Sequence, residues 1–286
     1  YEIVPKTAIL AKANALVHCG DLLANQPARI KAFSKWLNSV FQCKDNTSLG
    51  SLDDMSKNKY DLIITNPPFV VSGSADIGKL INKNPARKKY YSKKYSGVEG
   101  LFVQFIVQAI KPNGDAWVLL PETFFMRTTD KTLRDWLFEK CEINLLALLP
   151  ERTFYNTPKR VVIVHMKKRS SELYPQDLEK TLRRERTLLF ALSEIGESRD
   201  ARRLPISEND IPDLVKCYME HNAGVQPSKT IRRAVVTSSI NLKSSKSINI
   251  RHYWDKKIAQ SLGLLGQDED AIQSKKTLSK KIEQLR

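Results

Sequence analysis

The residues best suited to chemistry stand together in the tetrapeptide Asn66-Pro67-Pro68-Phe69. They follow the run from Tyr60 to Thr65 (YDLIIT), whose length and branched side chains predict a buried parallel strand. Prolines cannot continue a central strand, so the strand is expected to end at Asn66. In an α/β sheet this arrangement puts a polar side chain, a rigid turn and an aromatic ring at the carboxyl edge, where ligands bind.

This turn would supply two hydrogen-bond acceptors, the side-chain oxygen of Asn66 and the backbone carbonyl of Pro67. Held close together, they could accept hydrogen bonds from both hydrogens of an amino group. They would favour a pyramidal nitrogen and stabilise the positive charge that develops on it. The prolines fix φ, so the acceptors need little ordering. Phe69 could stack on a planar base. The alternative is an ordinary strand-ending Asn-Pro turn, because a short motif is only a hypothesis until its context agrees.

The elements after the motif alternate as in an α/β sheet. The pattern predicts an amphipathic helix over residues 100–112, closed by Lys-Pro-Asn-Gly at 111–114, and a strand over 116–120 that ends at Pro121. A helix over 130–140, with Asp130 as its N-cap, and strands over 143–149 and 160–166 follow. This order predicts a mainly parallel sheet that ends in an antiparallel pair.

Two helices are expected before the motif. The first follows Pro5 and carries an apolar stripe at helical spacing. The second spans about residues 30–41, with Trp36 and Phe41 expected in the core. The residues of the stripe are Ile9, Leu10, Ala13, Leu16 and Val17.

Residues 70–98 are strongly basic, and their sequence predicts a long irregular segment with Tyr90, Tyr91 and Tyr95 among the cations. Such segments within compact domains are usually functional or disordered. If these residues contact a DNA duplex, each phosphate they neutralise would add about 0.9 to the steepness with which log affinity falls against log salt concentration. The alternative is a solvated, mobile loop. The candidate nucleic-acid-binding residues here are Lys79, Arg87, Lys88, Lys89, Lys93 and Lys94.

The composition narrows the class of protein. The 286 residues are 41% apolar and carry a formal net charge of +16, which suits a phosphate-bearing partner, although a ribosomal or membrane-surface partner would fit as well. No apolar run approaches the ~20 residues of a membrane span, and no signal peptide is visible. The four cysteines and four histidines are scattered, which predicts a reduced, cytoplasmic protein with no metal site.

The tetrapeptide Asn66-Pro67-Pro68-Phe69 resembles the catalytic motif of the N6-adenine DNA methyltransferases, which use S-adenosylmethionine (SAM). Together with the turn at 111–114 and the Phe-Tyr-Asn-Thr-Pro loop at 154–158, residues 1–170 resemble the catalytic domain of type I modification subunits and their single-chain relatives. The resemblance implies a Rossmann-like class I methyltransferase fold. It also implies that residues 171–222 close this domain and that 223–286 form a basic linker and helical lead-in to a recognition region.

The same resemblance implies roles for single residues. The tetrapeptide would be catalytic, with Phe69 stacked on a base flipped out of the duplex. Glu2 would bind the SAM ribose, and Asp45 with Leu49 would lie near the SAM adenine, where Asp21 is a competing candidate. Asn66 would also contact SAM. The loop over 153–158 would line the target-base pocket, and Thr157 and Lys159 would contact the nucleic acid.

One family feature is missing. No Gly-x-Gly occurs among the eleven glycines, so the family's Gly-rich SAM-binding turn has no counterpart in this sequence. If Glu2 is placed correctly, that turn lies upstream of Tyr1, and the chain is expected to be part of a longer enzyme.

The predicted function is SAM-dependent methylation of adenine N6 in DNA, within a restriction–modification or related phage-defence system. Duplex DNA and a specificity subunit or domain are the expected partners. Two alternatives stay open. One is methylation of RNA or of a protein glutamine by an enzyme that shares the motif, and the other is a non-catalytic DNA-binding scaffold with the same fold.

Overall fold

The computed structural model describes residues 4–41, 43, 49–69, 74–154, 159–226 and 231–264. The chain divides into two compact units. The first consists of Tyr1–Lys57 and Val70–Ser92, and the second of Asn58–Phe69 and Lys93–Arg286. The domain boundaries predicted near residues 170 and 222 both fall inside the second unit and remain predictions.

The described part of the first unit is helical. Its last helix begins at Pro85 because the Asn84 side chain accepts hydrogen bonds from the amides of Ala86 (2.9 Å) and Arg87 (3.2 Å). The expectation of a long irregular segment was therefore wrong over residues 74–90, where the lysines obscured the helical spacing of a few apolar residues. The helices are α1 (Pro5–His18), α2 (Gly20–Ala24), α3 (Ile30–Val40), α4 (Ser74–Lys83) and α5 (Pro85–Tyr90).

The predicted first helix forms as α1, but its apolar stripe is exposed, and the predicted core position of Trp36 was wrong. Ala8 is the buried residue of α1, whereas Ile9 and Val17 are exposed. Trp36 is 49% exposed and stacks on Phe33, with ring centroids 5.3 Å apart. Helical spacing identifies a face that can be buried, but burial requires another element to pack on that face.

The second unit contains a six-stranded sheet in the order β1-β2-β4-β3-β5-β8 and a separate hairpin of β6 and β7. β1, β2, β3 and β5 run in one direction, and β4 and β8 run in the opposite direction. The mainly parallel α/β class with an antiparallel pair is thus confirmed. The strands are β1 (Tyr60–Thr65), β2 (Ile110–Pro121), β3 (Cys141–Leu148), β4 (Val161–Lys168), β5 (Arg186–Ala191), β6 (Ile195–Glu197), β7 (Pro205–Asn209) and β8 (Ala234–Ser238).

β1 forms where the sequence predicts it and pairs in parallel with β2, but it is the terminal strand of the sheet that the described residues form. Its Leu62 and Ile64 are 52% and 74% exposed, so the prediction of a buried strand was wrong. The turn at 111–114, expected to close a helix, instead lies within β2 and interrupts its register with β1. A Cβ on Gly114 would stand 2.8 Å from the Asp61 carbonyl oxygen, which explains the glycine.

Helices cover both faces of the sheet. Ala116, Val118 and Leu120 of β2 are buried on one face, where α6 contacts the strand. Trp117 points to the other face and meets Tyr218 of α10 edge to face, with ring centroids 5.1 Å apart. The helices of this unit are α6 (Val98–Ala109), α7 (Glu122–Met126), α8 (Lys131–Lys140), α9 (Pro175–Arg184), α10 (Ile211–Asn222), α11 (Ser239–Ser244) and α12 (Lys256–Ser261).

The Ser- and Lys-rich segment after residue 223 contributes to this fold as well. β8 pairs with β5, and Ile248, Ile250 and Trp254 are buried. The Ile248 amide donates to the Phe125 carbonyl (2.9 Å), and the buried Arg134 guanidinium donates to the Lys246 carbonyl (2.8 Å). Residues 234–264 are therefore tied to the sheet. Across the described residues, no helix has the length and apolarity that a bilayer-spanning segment requires.

Candidate active site

The tetrapeptide lies at the carboxyl end of β1. Thr65 pairs with Val118 of β2, and the chain leaves the sheet at Asn66. The Asn66 side chain is exposed and makes no hydrogen bond to any residue in the described part of the chain, whereas Pro67 is buried. The buried proline anchors the turn while the amide stays open to a ligand. This arrangement suits an acceptor that must meet an incoming amino group.

A second aromatic ring lies beside Phe69. The rings of Phe69 and Phe154 are 6.3 Å apart at their centroids and inclined by 72°. Both rings pack against a buried cluster that includes Leu149 and Val161, at the carboxyl end of β3 and the start of β4. Phe154 lay within the predicted pocket loop but was not singled out as a site residue. An aromatic residue in the loop that follows a strand end is the signal that could have found it.

The edge beside the motif also carries an ion pair, between the partly buried Arg251 and the buried Glu122, that the sequence did not predict. Arg251 donates from Nε to the carboxylate of Glu122, directly after β2, at 2.9 Å. The Glu122 amide donates to the Arg160 carbonyl (3.0 Å), and Arg160 reaches the Gly263 carbonyl (3.0 Å). These contacts join the ends of β2 and β4 to the C-terminal segment. An acidic residue directly after a strand-ending proline was the available signal.

Of the residues expected to contact SAM, some have surroundings that suit the role and others do not. Asn66 is exposed at the strand end and fits as a hydrogen-bond partner. Leu49 is only 4% exposed, so its side chain offers little open surface to an adenine ring. The competing acid, Asp21, lies in α2, whereas Glu2 and Asp45 lie outside the described residues. The SAM contacts therefore remain predictions, and the open amide of Asn66 is the observation that favours them.

The predicted nucleic-acid-binding residues are divided between the two units. Lys79, Arg87, Lys88 and Lys89 belong to the first unit, and Lys93 and Lys94 to the second. Lys88, Lys89 and Lys94 are exposed, as is Lys159. Thr157 lies outside the described residues.

Two of the basic side chains already have acidic partners. Arg87 donates from Nε to Asp53 (2.8 Å), and Lys79 pairs with Asp76 (2.9 Å). Tyr90 and Tyr91 are buried and donate to the carbonyls of Ser56 and Leu52, so they do not form an aromatic surface between the cations. Of the predicted residues in the first unit, the exposed Lys88 and Lys89 fit a backbone contact best.

A polar cluster lies on the Trp117 face of the sheet, away from the carboxyl edge. His165 contacts Asp115 through Nε2 (3.0 Å) and the Tyr218 hydroxyl through Nδ1 (2.8 Å), and its ring stacks on Trp117. Burial lowers the pKa of His165, and the Asp115 carboxylate opposes that shift. The neutral ring then donates from Nε2 to Asp115 and accepts from Tyr218 at Nδ1. Both ring nitrogens are thus hydrogen-bonded within the protein.

This cluster lines a cavity of about 710 Å³. Its walls also include Glu142, Lys167 and Arg184, so acidic and basic groups face the same space. Among the described residues, no group of three or more His, Cys, Asp or Glu side chains could hold a metal ion.

Comparison with known proteins places the chain in a family. The sequence model for N-6 DNA methylase matches residues 1–257. A type II restriction enzyme and methyltransferase from Escherichia coli, RM.Eco57I, is 21% identical over 231 residues, which cover 77% of this chain and 22% of that protein.

Solved structures share the fold at low sequence identity. The type I restriction enzyme EcoKI M protein has a TM-score of 0.54 and 16% identity, over 86% of this chain and 50% of that one. The type I restriction-modification methyltransferase subunit from Streptococcus thermophilus has a TM-score of 0.50 and 19% identity, over 69% of this chain and 39% of that one.

The chain thus spans half or less of the length of these relatives. The family model nevertheless covers most of the chain, including the strand, the tetrapeptide and the elements that position them. This chain belongs to the N-6 DNA methylase family.

Proposed function

We propose that this chain forms the part of a SAM-dependent DNA methyltransferase that binds the target adenine and holds its N6 amine for methylation. The observation that carries the proposal is the open Asn66 amide at the carboxyl end of β1, next to a buried proline and an aromatic pair. Family membership and the functions of the related restriction–modification proteins support it.

The reaction requires an activated amine. The N6 lone pair of adenine is delocalised into the ring, which makes the amine a poor nucleophile. The Asn66 side-chain oxygen and the Pro67 carbonyl would each accept a hydrogen bond from one N6 hydrogen. They would favour a pyramidal nitrogen and stabilise the positive charge that develops on it. Because Pro67 is buried and both prolines fix φ, these acceptors need little reorganisation.

The target base must leave the duplex to reach this edge. Unstacking costs roughly a few kcal/mol, part of which Phe69 would offset by stacking on the base. Phe154 would pack against the same pocket through its contact with Phe69. SAM would supply the electrophilic methyl group, and the N6 proton would leave to solvent after transfer. This step needs no histidine base.

We further propose that the enzyme works in a restriction–modification or related defence system, with duplex DNA and a specificity subunit or domain as partners. The type I and type II restriction proteins among its relatives support this context. The net charge of +16 favours a nucleic-acid substrate over a release-factor glutamine.

The substrate class can be tested directly. The intact protein is incubated with radiolabelled SAM and one substrate at a time: duplex DNA, RNA or a release factor. Incorporation into DNA is expected, and enzymatic digestion should recover the label as N6-methyladenine. Label only in RNA or protein would reject DNA methylation. Salt-sensitive DNA binding without transfer to any substrate would favour the scaffold.

A further inference from the structure

The β6–β7 hairpin is held rigidly at the carboxyl edge of the sheet. The Asp210 carboxylate accepts hydrogen bonds from the amides of Ser193 (2.7 Å) and Glu194 (2.9 Å), which precede β6, and it pairs with Arg233 (3.0 Å). The turn of the hairpin, residues 198–204, is closed by a hydrogen bond from the Ser198 amide to the Leu204 carbonyl (2.8 Å). We call this turn, residues 198–204, the platform.

Two arginines of the platform reach the segment that follows β3. Arg203 donates from Nη2 to the Thr153 carbonyl. Arg199 binds Glu194 through one Nη (2.9 Å), while its other Nη lies 3.5 Å from the Glu151 carbonyl. The carbonyls of Glu151 and Thr153 thus face two arginines from the same turn. Arginine suits this role because its planar guanidinium presents several donors in a fixed geometry.

The backbone on both sides of this contact has an unusual conformation. Arg152 has φ 60° and Arg203 has φ 51°, in the left-handed region. A residue with a Cβ rarely occupies this region unless its surroundings hold it there. The hydrogen bond from Arg203 to Thr153 joins these two segments directly.

Thr153 directly precedes Phe154, whose ring meets Phe69 of the tetrapeptide. We infer that Arg203 is a positioning residue that fixes Phe154 against Phe69 and so shapes the site for the flipped base. This inference rests on the proposed function. Arg203 acts here through the backbone of the base pocket and not as a phosphate contact.

The test compares the intact wild-type protein with Arg203→Ala, Arg203→Lys and the control Arg202→Ala. Arg202 is 75% exposed and pairs with Asp200 in the same turn, so the control removes the same charge from the same hairpin. At saturating DNA and SAM, Arg203→Ala should lower the single-turnover methylation rate about 10- to 100-fold, as expected for a misplaced group. Arg203→Lys should recover part of the rate, and the control should change it less than about twofold.

A double-mutant cycle with Phe154→Ala separates positioning from other roles. If Arg203 acts through Phe154, Arg203→Ala should have almost no further effect in the Phe154→Ala background. Independent, multiplying losses would overturn the inference. The inference would also be overturned if Arg203→Ala weakened DNA binding and reduced the salt dependence of log affinity by about 0.9, because that result indicates a phosphate contact.

Amide hydrogen exchange without DNA keeps the inference testable if the wild-type protein methylates nothing. The amides of residues 151–154 should exchange about tenfold faster in Arg203→Ala than in Arg202→Ala. Equal exchange in the two variants would overturn the positioning role. Failure of the proposed function would appear instead as inactive wild-type protein with the expected difference in exchange.

Discussion

Phe69 and Phe154 meet edge to face, with ring centroids 6.3 Å apart, although 84 positions of sequence separate them. Phe69 closes the turn after β1, and Phe154 follows the end of β3. Their contact joins two strand ends of the sheet beside the open Asn66 amide. The central proposal is that this edge binds and methylates an extruded adenine.

If Phe69 stacks on the base, Phe69→Ala should weaken base extrusion and lower methylation. One base–aromatic stack contributes about 1–3 kcal/mol, which corresponds to roughly 5- to 150-fold. Fluorescence of 2-aminopurine at the target position reports extrusion, and single-turnover transfer reports the rate. Tyr174→Ala, on an exposed aromatic residue, is the control and should change neither signal. Unaltered extrusion in Phe69→Ala would exclude the stacking role.

If Lys88 and Lys89 contact the DNA backbone, replacing both with alanine should reduce the salt dependence of binding. The slope of log affinity against log salt should fall by about 0.9 for each lysine that neutralises a phosphate. The measurement is a titration of duplex DNA at several salt concentrations. Lys180→Ala, on the exposed face of α9, is the charge control. A slope equal to that of wild type would place these two lysines away from the DNA.

The Arg134 guanidinium is a structural group, and its loss should be costly. It is buried and donates to the carbonyls of Phe124 (2.9 Å), Arg127 (2.6 Å) and Lys246 (2.8 Å). Arg134→Met would leave these acceptors unpaired and should lower the free energy of unfolding by about 2–5 kcal/mol. Denaturant titration measures the change. Arg183→Met, on an exposed residue paired with Glu179, should cost under about 0.5 kcal/mol. Equal losses would contradict the structural role of Arg134.

The buried His165 should make stability depend on acid pH. Burial lowers its pKa in the folded protein below the ordinary value of 6.5. Below about pH 6.5 the unfolded chain therefore binds a proton that the folded protein does not, so stability falls until the pH reaches the folded pKa. Burial lowers the pKa of His221 as well, so it adds to the same trend.

The check is the free energy of unfolding at several pH values between 7 and 5. His165→Gln should show a shallower loss of stability than wild type. A steeper loss in His165→Gln would mean that the folded protein favours the charged ring.

Local patterns in the sequence were sufficient for much of the fold. The strand before Asn66 was placed correctly. The strand predicted over 116–120 forms the last part of β2, which already begins at Ile110, and the helix predicted over 100–112 spans Val98–Ala109. Each of these segments has a clear pattern of apolar residues and ends near a residue, such as proline, that stops a helix or strand. The Asn84-Pro85 helix start was also readable, but the lysines around it outweighed that signal.

Long-range relationships could not be predicted in the same way. The edge position of β1 depends on which strands pair, and β8 joins the sheet through β5, about fifty residues earlier in the chain. The contacts from Arg203 to Thr153 and from Arg251 to Glu122 depend on how distant loops meet at one edge. No local period encodes such pairings, so residue types alone did not identify them.

Asn66 carries the central claim, and its substitution tests that claim most directly. The measurement is the formation of N6-methyladenine in duplex DNA incubated with SAM and the intact protein, beside Asn66→Ala. Removal of one preorganised group that stabilises transition-state charge typically costs about 10²- to 10³-fold in rate. Methylation by wild type and a loss of this size in Asn66→Ala, with DNA affinity unchanged, is the predicted result. Equal methylation by both proteins would contradict the account.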